Sequence, residues 1–219
     1  MSHDIIDVYD RSIFEMRNVF TSEQCQLFID YHEQSPDKIS GLVFNSMTGL
    51  MEVYTELKNT TDVPLPDRDA TSRRPRKTFY EGVEKVHMEY KKHMSGIEKL
   101  CGIGYLDMGY PTIPQIQRTD KGGHFDWHSD MADADRLLAV ILYLNDIDEE
   151  NGGSTEFNSG RKVQPERGKV IIFPVTDLHL HKGNTILNGP SKYIITTFII
   201  NPDKRKKCYK PNNFPFIIS

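Results

Sequence analysis

Cysteine is scarce in this sequence. Cys25, Cys101 and Cys208 are the only three in 219 residues. They are widely spaced and odd in number, which argues against a disulfide framework or a thiolate metal site and fits a reducing compartment. No apolar run approaches the length of a membrane-spanning helix. The opening MSHDIIDVYD carries acids where a secretory signal would carry a basic start and an apolar core. The expectation is a cytoplasmic protein with no membrane partner. Neither sign of charge is in large excess, and a formal net charge of −4 gives no general pull toward nucleic acid or anionic lipid. Repeats and low-complexity tracts are lacking too. What is present, 37% hydrophobic and 10% aromatic residues, suits a single folded domain over residues 1–219 with a substantial core.

The chain changes grammar near residue 111. Before it, FTSEQCQLFIDYHEQ offers Thr21 or Ser22 as a helix N-cap and Leu27, Phe28 and Tyr31 as an apolar stripe. A second long helix is predicted from Phe79, with Val83, Val86 and Tyr90 on one face. Between the two, the Pro-, Asp- and Arg-rich segment around residues 58–78 reads as a loop or mobile lid. Residues 1–110 therefore read as helical support. From Pro111 to about residue 201 the segments TIPQIQ, RLLAVILYLN, STEF, KVIIFP and YIITTFII are short, β-branched and aromatic, separated by glycine-bearing breaks. The expected fold is mainly β with flanking helices, a sandwich or barrel closed against the N-terminal helices.

One stretch carries chemistry. In GGHFDWHSD, residues 122–130, His128 and Asp130 are two apart, so on a strand both project to one face. Two histidines and a carboxylate on one octahedral face describe non-haem Fe(II) centres with open positions for co-substrate and dioxygen. The later segment DLHLH offers His179 and His181 as the second histidine, and His181 is the choice made here. If the open positions chelate a 2-oxo acid such as 2-oxoglutarate, its distal carboxylate needs a buried cation. Lys192, at the start of the next strand, is placed to supply it. An isolated HxD is a weak signal, and His124 and His179 read as surface or hydrogen-bonded histidines.

Taken together, GGHFDWHSD, RLLAVILYLND, NGGSTEF, ERGKVIIFP and HKGNTILNGPSKYIITTF resemble, from about Pro114 to Ile200, the catalytic core of the prolyl 4-hydroxylase-like branch of the 2-oxoglutarate and Fe(II)-dependent oxygenases. The resemblance implies a double-stranded β-helix (jelly-roll) core buttressed by N-terminal helices. It implies His128, Asp130 and His181 as iron ligands and Lys192 as the partner of the far carboxylate of 2-oxoglutarate. It also implies Tyr143 as a second contact to that carboxylate and Arg136 as a contact to a peptide substrate. The cofactors implied are Fe(II), 2-oxoglutarate and O2, with ascorbate a further candidate. The implied reaction hydroxylates an unactivated C–H bond, foremost in peptidyl proline, while 2-oxoglutarate is decarboxylated to succinate.

Two departures stand out. Thr119 occupies a position where many relatives carry tyrosine, and the His181–Lys192 interval is one residue longer than the common pattern. The alternatives are a hydroxylase of a free amino acid or other small molecule, a non-catalytic jelly-roll binding module, and a zinc hydrolase. Nucleic-acid demethylation is disfavoured, because related demethylases carry two arginines after the distal histidine and Arg205 is the only one here.

Overall fold

The computed structural model describes residues 11–67, 70–101, 109–131 and 135–201. Fourteen strands and two α-helices follow in chain order: β1 (Phe14–Met16), α1 (Ser22–Gln34), β2 (Ile39–Ser40), β3 (Leu42–Asn45), β4 (Leu50–Val53), β5 (Thr61–Pro64), α2 (Ala70–Cys101), β6 (Tyr110–Pro111), β7 (Gln115–Thr119), β8 (Phe125–His128), β9 (Arg136–Tyr143), β10 (Thr155–Phe157), β11 (Lys162–Val163), β12 (Val170–Pro174), β13 (His181–Gly183) and β14 (Lys192–Ile200). The eight-stranded sheet runs β1-β12-β9-β14-β7-β5-β2, with β6 also on β14. A four-stranded sheet, β11-β10-β13-β8, faces it, and β3 and β4 form a separate hairpin. All pairings are antiparallel. This is the mainly β jelly-roll with flanking helices that the sequence leads one to expect.

The alternation along β9 explains the layering. Leu138, Val140 and Leu142 face one way and join Phe28 of α1 and Phe79, Val83 and Val86 of α2 in a core behind the large sheet. Ala139, Ile141 and Tyr143 face the other way and pack with Phe157 and Phe173 between the two sheets. A strand buried on both faces reads as an unbroken apolar run, which is what LLAVILYL is. Each large side chain fully buried here contributes about 1.5–3 kcal/mol.

Thr21 caps α1 in a capping box with Gln24. The buried stripe of α1 is Cys25, Phe28 and His32, one step round from the predicted centre, with Leu27 and Tyr31 half-buried. His32 is fully buried and its Nε2–H donates to the Thr61 carbonyl at 3.0 Å, tying α1 to β5. Burial pushes the Cys25 thiol up to about 11, so it is a packing group and not a nucleophile.

Two expectations need correction. The first 110 residues are not purely helical support, because β1, β2 and β5 extend the large sheet from both sides. The segment around 58–78 is not a lid either. Thr61–Pro64 pairs with β7 in register, with Val63 opposite Ile116 and both fully buried. Helix α2 begins already at Ala70 and runs through Pro75. Its first turns are held by buried Ser72 and by Arg76, which pairs with Asp67 at 2.6 Å and lies 5.1 Å over the Tyr80 ring. The polar composition that suggests a loop belongs instead to a strand paired between β7 and β2 and to the exposed side of a helix.

Candidate metal centre

His128 ends β8 and His181 begins β13, and the two are direct partners across the small sheet. Their rings lie 4.2 Å apart, centroid to centroid. Asp130 does not continue the strand as its spacing suggests. It sits in the bend that follows β8 and turns its carboxylate back toward both rings. Its two oxygens lie 3.8 Å from His128 Nε2 and 3.6 Å from His181 Nε2. One ligand atom from each of the three residues falls within 4.8 Å of the others.

The tautomers follow from the backbone. His128 Nδ1 faces the Asp126 carbonyl at 2.8 Å, and His181 Nδ1 faces the His179 carbonyl at 3.0 Å. A carbonyl only accepts, so each Nδ1 carries the hydrogen and each Nε2 presents a lone pair to the common point. Burial first, and the neighbouring His181 second, lower the His128 pKa to about 4, so that imidazole is neutral and competent as a ligand. Two imidazole nitrogens and a carboxylate, with no thiolate, are a borderline-to-hard donor set of the kind that holds Fe(II) with open positions. His179 is otherwise engaged, with Thr176 Oγ1 and Ser12 Oγ each 2.8 Å from a ring nitrogen. His124 lies 3.0 Å from the Glu56 carbonyl. Both fit the reading that set them aside.

The three residues line a cavity of about 740 Å³ that also receives Lys192. Lys192 pairs with Thr119 in the register of β14 and β7. Its side chain is buried, and its ammonium donates to the Gly153 carbonyl at 2.9 Å. Gly153 offers that carbonyl from a left-handed conformation at φ 70°. Burial alone lowers the Lys192 pKa to about 8, and no carboxylate contributes to the shift. A buried ammonium whose acceptor among the described residues is one neutral carbonyl is costly, and an anion would offset that cost.

The other two predicted side chains divide. Arg136 lines the cavity, stacks 3.8 Å over the Phe198 ring, and donates to the Asp130 carbonyl at 3.1 Å. Tyr143 faces the interior as its position on β9 requires, but it is not on the cavity wall. Its hydroxyl donates to Thr155 Oγ1 at 2.7 Å, and Thr155 is the side chain that lines the cavity there. Burial pushes the Tyr143 hydroxyl well above its ordinary pKa, so it remains a protonated donor. Thr119, the cross-strand partner of Lys192, is on the cavity wall.

Sequence reasoning missed Lys58. It is buried on the same wall, with Nζ 2.6 Å from Asp62 Oδ2 and 5.3 Å from the Phe125 ring centroid. Thr60 Oγ1 donates to the other Asp62 oxygen at 2.7 Å. The alternation Lys58, Thr60, Asp62 was a legible same-face signal within a segment read as a loop. Also missed was the hairpin β3–β4, which overhangs the cavity from residues 42–53.

Residues 114–200 match the family model described as 2OG-Fe(II) oxygenase superfamily. The family so described uses Fe(II) and 2-oxoglutarate. Comparison with curated proteins returns no match. Among solved structures, the oxygenase fold here is similar to a prolyl hydroxylase of Trichoplax adhaerens in complex with a hypoxia inducible factor peptide fragment, at TM-score 0.71 and 14% identity, over 91% of this chain and 88% of that one. It is also similar to the viral collagen prolyl hydroxylase of Paramecium Bursaria Chlorella virus-1, at TM-score 0.60 and 16% identity, over 89% and 99%. A third is a prolyl-4-hydroxylase of Pseudomonas putida, at TM-score 0.62 and 12% identity, over 87% and 93%. At these identities the likeness is one of fold.

Proposed function

We propose that this oxygenase hydroxylates an unactivated C–H bond of a peptidyl proline, with Fe(II) held by His128, Asp130 and His181 and the far carboxylate of 2-oxoglutarate held by Lys192. One observation carries the reading. Two Nε2 lone pairs and a carboxylate converge within 4.8 Å, in the same cavity as a buried ammonium that donates to the Gly153 carbonyl. When bound, the metal and 2-oxoglutarate supply the oxidising chemistry that no side chain can. The chain's own residues orient and exclude. The Asp126 and His179 carbonyls fix both imidazoles, Arg136 braces the turn that carries Asp130, and Lys192 supplies the counter-charge. The apolar walls, Ala139, Ile141 and Ile194 among them, limit water at the floor.

A peptide substrate is supported by the wide mouth and by the prolyl hydroxylases among the fold's relatives, one of them with a peptide bound. Arg136 is the residue proposed to meet the peptide. Tyr143 is proposed to act on the co-substrate through Thr155.

The test is anaerobic titration of the Fe(II)-loaded protein with 2-oxoglutarate, watching for the weak visible charge-transfer band of a chelated 2-oxo acid. The band is expected in the native chain, and at much higher 2-oxoglutarate in Lys192→Ala. Iron binding without the band would overturn the reading. His128→Ala and Asp130→Ala are expected to lose iron while keeping the native circular dichroism. Turnover is then measured on proline-containing peptides, and hydroxylation of free amino acids alone would replace the peptide substrate with a small one.

A further inference from the structure

The opening of the cavity is apolar and acidic at once. Met47 is 94% exposed, and Phe44, Met51, Tyr54, Trp127 and Met131 stand around the same opening with 37% to 50% of their surface in water. Exposed apolar surface gathered at a cleft marks a place where another molecule binds. The hairpin that carries Phe44, Met47 and Met51 is held in shape by Glu52, which accepts from Asn45 Nδ2 at 3.0 Å and from Thr48 Oγ1 at 2.7 Å. The wall is therefore built, not frayed.

The charges on this wall sort by what already engages them. Lys58 is neutralised by Asp62, and Lys192 is assigned above to the far carboxylate of the co-substrate. Asp130 joins the two histidines at the floor. Arg136 stacks on the Phe198 ring and donates to the Asp130 carbonyl. Two carboxylates are left, Asp126 and Asp177, both exposed and both on the cavity wall. Asp126 accepts from the Trp127 N–H at 2.7 Å, and neither carboxylate meets a basic side chain among the described residues. Trp127 already has a cation against its indole, with Lys182 Nζ 4.8 Å from the ring centroid. An aromatic face next to an uncompensated carboxylate favours an ammonium or a guanidinium. The net charge of −4 on the whole chain steers the same way.

We propose that the mouth selects a peptide bearing a lysine or arginine and a large apolar side chain close to the reacting residue, with Asp126 and Asp177 setting the preference for charge. The inference rests on the peptide-substrate reading of this site and deepens it. The apolar side chain meets the methionines and aromatics of the opening, whose flexible thioethers adapt to different shapes. The basic side chain meets the two carboxylates. An acidic peptide on the same wall meets two like charges instead. Complementary charge of this kind contributes to selectivity and encounter rate more than to raw affinity.

Trp127 is the only tryptophan of the chain and stands at this opening, so its emission reports peptide binding in metal-free protein. The probes are Ac-KLPLK-NH2, its acidic counterpart Ac-ELPLE-NH2 and the polar Ac-KSPSK-NH2. The native chain is expected to bind the first saturably, and at least about tenfold more tightly than the second, since each exposed ion pair contributes up to about fivefold. The polar peptide is expected to bind more weakly than the first. The paired change Asp126→Asn with Asp177→Asn is expected to weaken Ac-KLPLK-NH2 about tenfold and to bring the basic and acidic peptides within about threefold of each other. Salt at about 0.5 M is expected to erode the preference of the native chain in the same direction. Equal affinity for the basic and acidic peptides overturns the proposal, as does equal affinity for the first and the polar one. Full preference retained in the paired variant, or no saturable response to Ac-KLPLK-NH2, also overturns it. Turnover separates the two readings. Charge-selective binding in metal-free protein, without proline hydroxylation by the iron-loaded enzyme, would remove the proline reading and leave the basic-peptide surface standing. Hydroxylation with no charge preference would remove this inference alone.

Discussion

Two lysines meet the same cavity from opposite ends of the fold, and their surroundings could hardly differ more. Lys58, between the hairpin and β5, is buried with Asp62 at 2.6 Å and Thr60 completing that carboxylate. Lys192, at the head of β14, is equally buried and donates to one carbonyl. The first charge is neutralised by the chain itself and acts as structure. The second has no carboxylate partner among the described residues, and the proposed 2-oxoglutarate carboxylate would offset its desolvation cost. A buried charge is thus informative less through its presence than through what its neighbours leave undone.

The comparison can be broken most forcefully from the Lys58 side. Asp62→Ala strands a buried ammonium and is expected to destabilise the fold by about 3–5 kcal/mol, read by urea denaturation. Next comes Lys192→Met, expected to weaken 2-oxoglutarate binding by at least about 100-fold, roughly 3 kcal/mol, while the melting temperature of the ligand-free protein stays level or rises. A fall in melting temperature would place Lys192 with Lys58 as structural.

The effect of pH sharpens the contrast. Burial lowers the Lys192 pKa to about 8 from 10.5, so the folded chain sheds this proton before the unfolded chain does. The cost of burying the ammonium is fully present below pH 8 and relieved between pH 8 and 10.5, where stability rises relative to Lys192→Met by at most about 3 kcal/mol. Over the same range 2-oxoglutarate affinity falls as the ammonium is lost. Smallest of all, the paired change Lys58→Met with Asp62→Leu is expected to shift stability by less than about 1 kcal/mol and 2-oxoglutarate affinity by less than about threefold, because an ion pair and a well-packed apolar pair of similar volume nearly balance.

How much of this the sequence announced depends on whether the signal was local. His128 and Asp130 are two residues apart, and the parity argument brought them together even though Asp130 reaches the site from a bend. Choosing His181 over His179 depended on cross-strand pairing with His128, which spacing only suggests. The orientation of Tyr143 was legible from strand alternation, but its depth was not, since Thr155 comes from another sheet. Lys58 was hidden for a related reason. Asparagine, threonine and proline around it mimic loop composition, while pairing of Val63 with Ile116 makes the segment a strand. Tertiary pairing overrides local composition where strands are short.

The two imidazoles receive their orientation from main-chain carbonyl oxygens two residues earlier, Asp126 within β8 and His179 in the turn before β13, not from neighbouring side chains. Main-chain oxygens are present whatever amino acids occupy Asp126 and His179. The aim of the lone pairs is therefore insulated from substitution in the surrounding wall. Lineages sharing this frame can redraw the wall, and with it the choice of molecule admitted, without first having to rebuild the place where chemistry happens.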